Sequence, residues 1–174
     1  KSCNIVFNGA TQSGKTNLMR YLLHRYCVTK KVFKFGLVFS PNVKKSSEYD
    51  WMDQDYCVEK YSEEVLLRWV AALDELREKY KDKLEQCPNS FILFDDCLGT
   101  VKQGPKWDHF VSTIRHNKCS ILFSTQRVEK YISTTLQSNT RYWFTFLTVS
   151  GKDLKNIRAR VGSNFSGSDK EFNQ

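Results

Sequence analysis

The sequence predicts an α/β fold of three layers, with a mainly parallel central sheet of about five strands covered by helices on both faces. Three observations predict it. Short apolar runs alternate along the chain with segments whose apolar residues recur at helical spacing. Strands joined through helices cannot be hairpins, so the connections are βαβ crossovers and the sheet is parallel. A glycine-rich octapeptide separates the first strand from the first helix, and in such sheets ligands lie beyond the carboxyl ends of the strands.

The elements follow in order. Cys3–Asn8 is an apolar run that stops at Gly9 and reads as the first strand. Over Asn17–Cys27, Leu18, Met19, Leu22, Leu23 and Tyr26 fall on one helical face. Phe33–Ser40 is the second strand, ended by Pro41, and Asn42–Lys60 is polar and irregular. Ser62 is an N-cap, with Glu63 and Glu64 at the positive end of the helix dipole. The stripe Val65, Leu66, Trp69, Val70, Leu73, Leu76, Tyr80 and Leu84 carries that helix to about Gln86, before Pro88. Ser90–Asp95 is a strand buried on both faces. Trp107, Phe110, Val111 and Ile114 mark a helix, and Cys119–Ser124 is the fourth strand. Val128–Leu136 is a candidate helix, Arg141–Leu147 the fifth strand, and Leu154–Val161 a basic closing helix.

At 174 residues the chain has the length of one domain and needs neither disulfide nor metal to fold. The expected division is one folded domain over 1–162 and a flexible tail over 163–174, rich in Gly, Ser and Asn. The chain begins at Lys1 without Met, as a fragment or excised domain would. A composition 40% hydrophobic and 26% charged excludes wholesale disorder. No apolar run approaches the ~20 residues of a membrane span, and no secretory signal is expected. The six cysteines and three histidines are scattered, without zinc spacing. Scattered single cysteines fit a reducing, intracellular compartment. Net charge is +8, with 10 basic against 5 acidic groups in residues 1–60, 9 against 10 in 61–120, and 8 against 4 in 121–174. Both ends are basic, which favours polyanionic partners.

The octapeptide Gly9-Ala10-Thr11-Gln12-Ser13-Gly14-Lys15-Thr16 matches the P-loop pattern GxxxxGK[ST] in full. Gly9 and Gly14 let the backbone curl so that successive N–H groups point at phosphate oxygens. The helix N-terminus adds its dipole, Lys15 neutralises the β- and γ-phosphates, and Thr16 ligates Mg²⁺. Residues Gly9 to Asn17 therefore form the expected ATP site. Asp95, at the end of a buried strand, is the expected second Mg²⁺ ligand, and Asp96 the general base or water-orienting carboxylate. No guanine-reading NKxD follows, so ATP is preferred over GTP. Gln126, after the fourth strand, comes to the same sheet edge and can report on the γ-phosphate. Arg115 precedes that strand, so it belongs at the opposite edge. A six-residue strand spans roughly 20 Å, out of reach of the chain's own nucleotide. In a ring, Arg115 would reach the neighbour's as an arginine finger, with Arg127, Arg141, Arg158 and Arg160 as competitors.

The ordered set GATQSGKTN, FILFDD and IRHNKCSILFSTQ resembles the genome-packaging ATPases of the FtsK–HerA superfamily, specifically the poxvirus-type branch of large DNA viruses, virophages and Polinton-like elements. The resemblance covers roughly residues 3–150 and rests on Asp95-Asp96, Arg115-His116 and Thr125-Gln126. It implies a RecA-like P-loop NTPase: a Mg²⁺-dependent ATP-driven motor, usually a homo-oligomeric ring, that moves double-stranded DNA into a capsid. Capsid or portal proteins then become possible partners, and the protein an intracellular or virion-associated one in a host cell. The resemblance also implies a finger at Arg115 and a sensor at Gln126. The chain departs from the family in having Ile114 where Gly often precedes the Arg-His pair. It departs from cellular members in having Asp96 where Glu is usual. Lys102, Lys106, Lys152, Lys155, Arg158 and Arg160 suit sequence-independent phosphate contacts. The competing readings are a nucleoside-monophosphate or small-molecule kinase, a viral helicase or AAA-type remodeller, and a nucleotide-gated scaffold.

Overall fold

A computed structural model describes residues 2–45, 47–127, 131–146, 155 and 157–159. Six strands form one sheet: β1 (Asn4–Asn8), β2 (Phe33–Phe39), β3 (Cys57–Val58), β4 (Asn89–Asp95), β5 (Cys119–Thr125) and β6 (Thr140–Thr145). Their order is β3-β2-β4-β5-β1-β6, and every pairing is parallel. The expected class holds. The sixth strand is the short edge pair Cys57–Val58, inside the segment read as irregular. Two residues in register with Val38 and Phe39 are too few to show a period.

Among the described residues the faces are covered by α1 (Lys15–His24), α2 (Glu63–Lys79), α3 (Pro105–Thr113) and α4 (Thr134–Asn139). Strand alternation sorts the core into two clusters. Ile92, Phe94, Ile121 and Phe123 point to the side of α2, α3 and α4, meeting Leu66, Leu73, Trp107, Val111 and Leu136. Phe91, Leu93, Leu122 and Phe7 point to the other, meeting Met19 and Leu23 of α1 and Tyr49 of the β2–β3 connection. Fully burying each such side chain contributes roughly 1.5–3 kcal/mol, which is why these apolar strands dominate the pattern.

Two helices depart from their expected ends. The first continues from α1 as a π-turn over Arg25–Thr29. α2 stops at Lys79, because Tyr80 leaves helical geometry and Lys83 interrupts the 3₁₀ turns of Lys81–Gln86. Lys118 Nζ donates to the carbonyls of Leu84 and Glu85 at 2.9 and 3.1 Å, holding that segment outside the helix. Leu84, expected on the buried stripe, is exposed. Of the candidate helix over Val128–Leu136, Tyr131 is helical, its N donating to Arg127 O at 3.3 Å, and α4 starts at Thr134, where Ser133 Oγ accepts from Leu136 N; residues 128–130 lie outside the described residues. So do the tail 163–174, Lys152 and, in the closing helix, Leu154, Asn156, Arg160 and Val161. Lys155 and residues 157–159 of that helix are helical. Among the described residues all cysteines are free and no helix is long and apolar enough to cross a membrane.

Candidate nucleotide site

The sheet order decides what meets at its carboxyl edge. β5 lies between β1, which ends at the glycine-rich loop, and β4, which ends at Asp95. The residue after β5 is Gln126, so it stands between the two motifs. Gly9 N donates to Thr125 O at 3.2 Å, which ties the loop to the end of β5.

The loop is curled by left-handed residues at Gln12 (φ 61°) and Gly14 (φ 95°). Gly9 is required sterically: a Cβ there would lie 2.6 Å from Phe146 Cβ and 2.8 Å from Ser13 Oγ. Gly14 is the N-cap of α1 and supplies no side-chain cap, so the first N–H groups of the helix are left for an anion. Lys15 is only 5% exposed, and its Nζ donates to the carbonyls of Gly9 and Ala10, both at 2.8 Å. Its charge thus lies across the loop mouth. Thr16 follows in the first turn of α1, and Asn17 one place on is exposed.

Asp95 is 2% exposed. Its Oδ2 accepts from Tyr49 Oη at 3.0 Å and Ser40 Oγ at 3.1 Å. Its Oδ1 is buried without a hydrogen-bond partner. Burial, and secondly the charge of Asp96, push the Asp95 carboxyl above its ordinary range, against the lowering effect of the Tyr49, Ser40 and Ser124 hydroxyls. Burial and Asp95 push the Tyr49 phenol up, so it remains a neutral donor. Burial likewise pushes the Cys97 thiol up to about 12, so it is no nucleophile at neutral pH.

Asp96 is exposed and left-handed, with φ 49°. Gln126 links it to the loop. Gln126 Oε1 accepts from Thr11 Oγ1 at 3.1 Å, and its Nε2 donates to Asp96 Oδ2 at 3.5 Å. A cavity of about 190 Å³ opens beside this chain of contacts, lined by Asp96, Gly99, Ser124, Gln126 and Tyr131 among others. A larger cleft of about 480 Å³ opens elsewhere, between Leu22 and Leu23 of α1 and the sheet, and is mostly apolar.

Lys15, Asp95, Asp96 and Gln126 therefore converge. Arg115 does not join them. It is exposed in the 3₁₀ turn Ile114–Asn117 before β5, so the seven residues of β5 stand between it and Gln126. At about 3.3 Å per residue that is roughly 20 Å. Sequence reasoning missed Ser40 and Tyr49. Ser40 had a signal, because it follows β2 as Asp95 ends β4. Tyr49 had none, lying in a segment without periodicity.

The chain was compared with known proteins. The family described as Poxvirus A32 protein matches residues 1–172. An uncharacterized protein of Acanthamoeba polyphaga mimivirus is 22% identical over 172 residues, covering 94% of this chain and 57% of that protein. The chain thus spans little more than half the length of that relative. Among solved structures, the genome packaging NTPase B204 of Sulfolobus turreted icosahedral virus 2 in complex with sulfate has a TM-score of 0.68 at 17% identity, covering 99% of this chain and 84% of that one. The same protein in complex with ATP-gammaS gives 0.66 at 18%, covering 92% and 82%. EssC (ATPases 2 and 3) from Geobacillus thermodenitrificans gives 0.67 at 12%, covering 96% and 36%. At these identities the structures establish a shared α/β P-loop ATPase fold.

Proposed function

The chain belongs to the Poxvirus A32 protein family, and on that premise we propose that it is an ATP-hydrolysing motor that moves double-stranded DNA into a viral capsid. The observation that carries this reading is the convergence of Lys15, Asp95, Asp96 and Gln126 at one sheet edge, linked by the Thr11–Gln126–Asp96 hydrogen bonds. Likeness to packaging NTPases, one of them in complex with ATP-gammaS, supports it.

In this reading the N–H groups of Gly9 to Asn17 wrap the phosphates, and Lys15 exchanges its two carbonyl partners for phosphate oxygens. Bound Mg²⁺ supplies further neutralisation of phosphate charge. Thr16 and Asp95 would hold it, and the buried, unpartnered Oδ1 of Asp95 fits that task. Asp96 orients the attacking water and takes its proton. Gln126 reads the γ-phosphate by exchanging its bonds to Thr11 and Asp96. Arg115 serves the neighbouring subunit's nucleotide, which makes the working unit a homo-oligomeric ring. Lys102, Lys106, Lys155 and Arg158 supply sequence-independent contacts to the duplex, and capsid or portal proteins anchor the ring.

The test is the ATPase rate with and without long double-stranded DNA across a salt series. The expected result is stimulation by duplex that falls steeply as salt rises, because phosphate contacts release counterions. Phosphoryl transfer to a nucleoside monophosphate, with no response to duplex, overturns the motor.

A further inference from the structure

Asp95 is anchored by a segment that no nucleotide motif marks. After Ser40 the chain turns through Tyr49 and Trp51 before reaching β3. Tyr49 is fully buried in the cluster with Met19, Leu23 and Val38. Trp51 meets His24 of α1 edge-on, with ring centroids 5.8 Å apart. The Tyr49 turn is closed by Met52 N and Gln54 Nε2, which donate to its carbonyl at 2.9 and 3.1 Å. Ser40 is fixed too. Its N donates to Val58 O, and its Oγ accepts from Asn42 N at 3.3 Å while donating to Asp95.

The chemistry of this arrangement is selective. A carboxylate has about four acceptor positions on two oxygens. Here both neutral donors fall on Oδ2, and Oδ1 has none. Neither donor carries charge, so the negative charge of Asp95 is left for another cation. The ion pairs among the described residues, Arg68–Glu64 and Lys81–Glu78, lie away from it. Ser124, the register partner of Asp95 on β5, acts on the same carboxylate, yet its Oγ is likewise buried without a hydrogen-bond partner, so Oδ1 and this hydroxyl both keep bonding capacity for a ligand.

We propose that Tyr49 is a positioning residue for Asp95: with Ser40 it occupies Oδ2, fixes the carboxylate, and presents Oδ1 alone to the Mg²⁺ shell. This rests on the reading of Asp95 as a metal-holding carboxylate. It assigns a role to the β2–β3 connection, which couples the metal carboxylate to α1 through Trp51 and His24. Outer partners of metal-binding groups typically change metal affinity or activity 10–100-fold when removed.

The experiment is a Mn²⁺ titration followed by electron paramagnetic resonance, with AMPPCP present, on wild type, Tyr49→Phe, Ser40→Ala and Asp95→Asn. Tyr49→Phe removes one hydroxyl and keeps the ring. The expected result is Mn²⁺ affinity about ten-fold weaker in Tyr49→Phe. The Mg²⁺ concentration for half-maximal ATPase should rise in parallel, with KM for ATP at saturating Mg²⁺ little changed. Wild-type Mn²⁺ affinity in Tyr49→Phe, with affinity lost in Asp95→Asn, overturns the role of Tyr49 and leaves the metal site standing. Wild-type affinity in Asp95→Asn removes the metal reading and the inference together. If Tyr49→Phe melts below the assay temperature, Ser40→Ala carries the same comparison: weakened Mn²⁺ binding supports the anchoring of Oδ2, and unchanged binding overturns it.

Discussion

Gly9 has no room for a methyl group, whereas Gly104 has nothing within 4 Å of the place a Cβ would take. The contrast yields a paired prediction. Gly9→Ala must displace Phe146 or Ser13, and overpacking of this kind costs roughly 1–3 kcal/mol. It should also weaken ATP-gammaS binding, because the same loop presents the N–H groups. Gly104→Ala, at an extended N-cap with open space around it, meets no overpacking and should cost at most about 1 kcal/mol, with nucleotide binding unchanged. Urea unfolding and equilibrium nucleotide binding check both. Asp95 gives a second prediction, in pH. Burial raises its folded-state pKa above the unfolded value. The folded protein therefore keeps a proton that the unfolded chain has already released. The stability this group contributes is complete below the unfolded pKa and is lost as pH rises through the folded one. Asp95→Asn should therefore be more stable than wild type at pH 7, with the difference vanishing under acid. A neutral-pH loss of stability in Asp95→Asn would contradict that sign. Lys15 and Asp95 were legible as residues because each sits in a pattern tied to a strand end. Tyr49 was not, because its bond to Asp95 spans 46 positions and starts in a segment with no period.

The long elements were legible for a physical reason: burial on both faces puts the continuous apolar runs Phe91–Phe94 and Ile121–Phe123 at the centres of β4 and β5, and such runs are hard to mistake. Helix α2 was legible at its start for another. Ser62 Oγ accepts from Val65 N at 3.3 Å, and Glu63 and Glu64 occupy the first turn. Its end was not legible, because the apolar spacing runs on to Leu84 while Tyr80 and Lys83 leave helical geometry. The two-residue β3 carries no pattern at all and is defined by its pairing with β2. The start of α2 supports a prediction of its own. Ser62→Ala removes the cap and should cost about 1 kcal/mol of stability. Ser62 Oγ bonds within its own helix start and not to the loop motifs among the described residues, so nucleotide affinity should stay at the wild-type level. Chemical denaturation with parallel nucleotide binding checks this, and a loss of affinity without loss of stability would contradict it.

At the scale of the whole molecule the two edges of the sheet carry different groups. One edge of the sheet holds Lys15, Asp95, Asp96 and Gln126, with Arg127 lining the cavity beside Asp96 and Gln126. Arg115 stands exposed at the other edge. A head-to-tail interface would bring one subunit's Arg115 edge to the next subunit's loop edge, and repetition of that contact closes a ring. The arrangement predicts complementation. Arg115→Ala subunits keep an intact loop, and Lys15→Ala subunits keep an intact finger. Each alone should be inactive as an ATPase. Mixed one to one and allowed to exchange, about a quarter of interfaces pair an intact loop with an intact finger. ATPase activity should then recover to a fraction of that order, rising and falling with the mixing ratio. Co-assembly is verified independently by sedimentation of a tagged and an untagged subunit. Co-assembled mixtures with no recovered turnover would remove Arg115 from the neighbour's site and direct the same test to Arg127, Arg141 and Arg158.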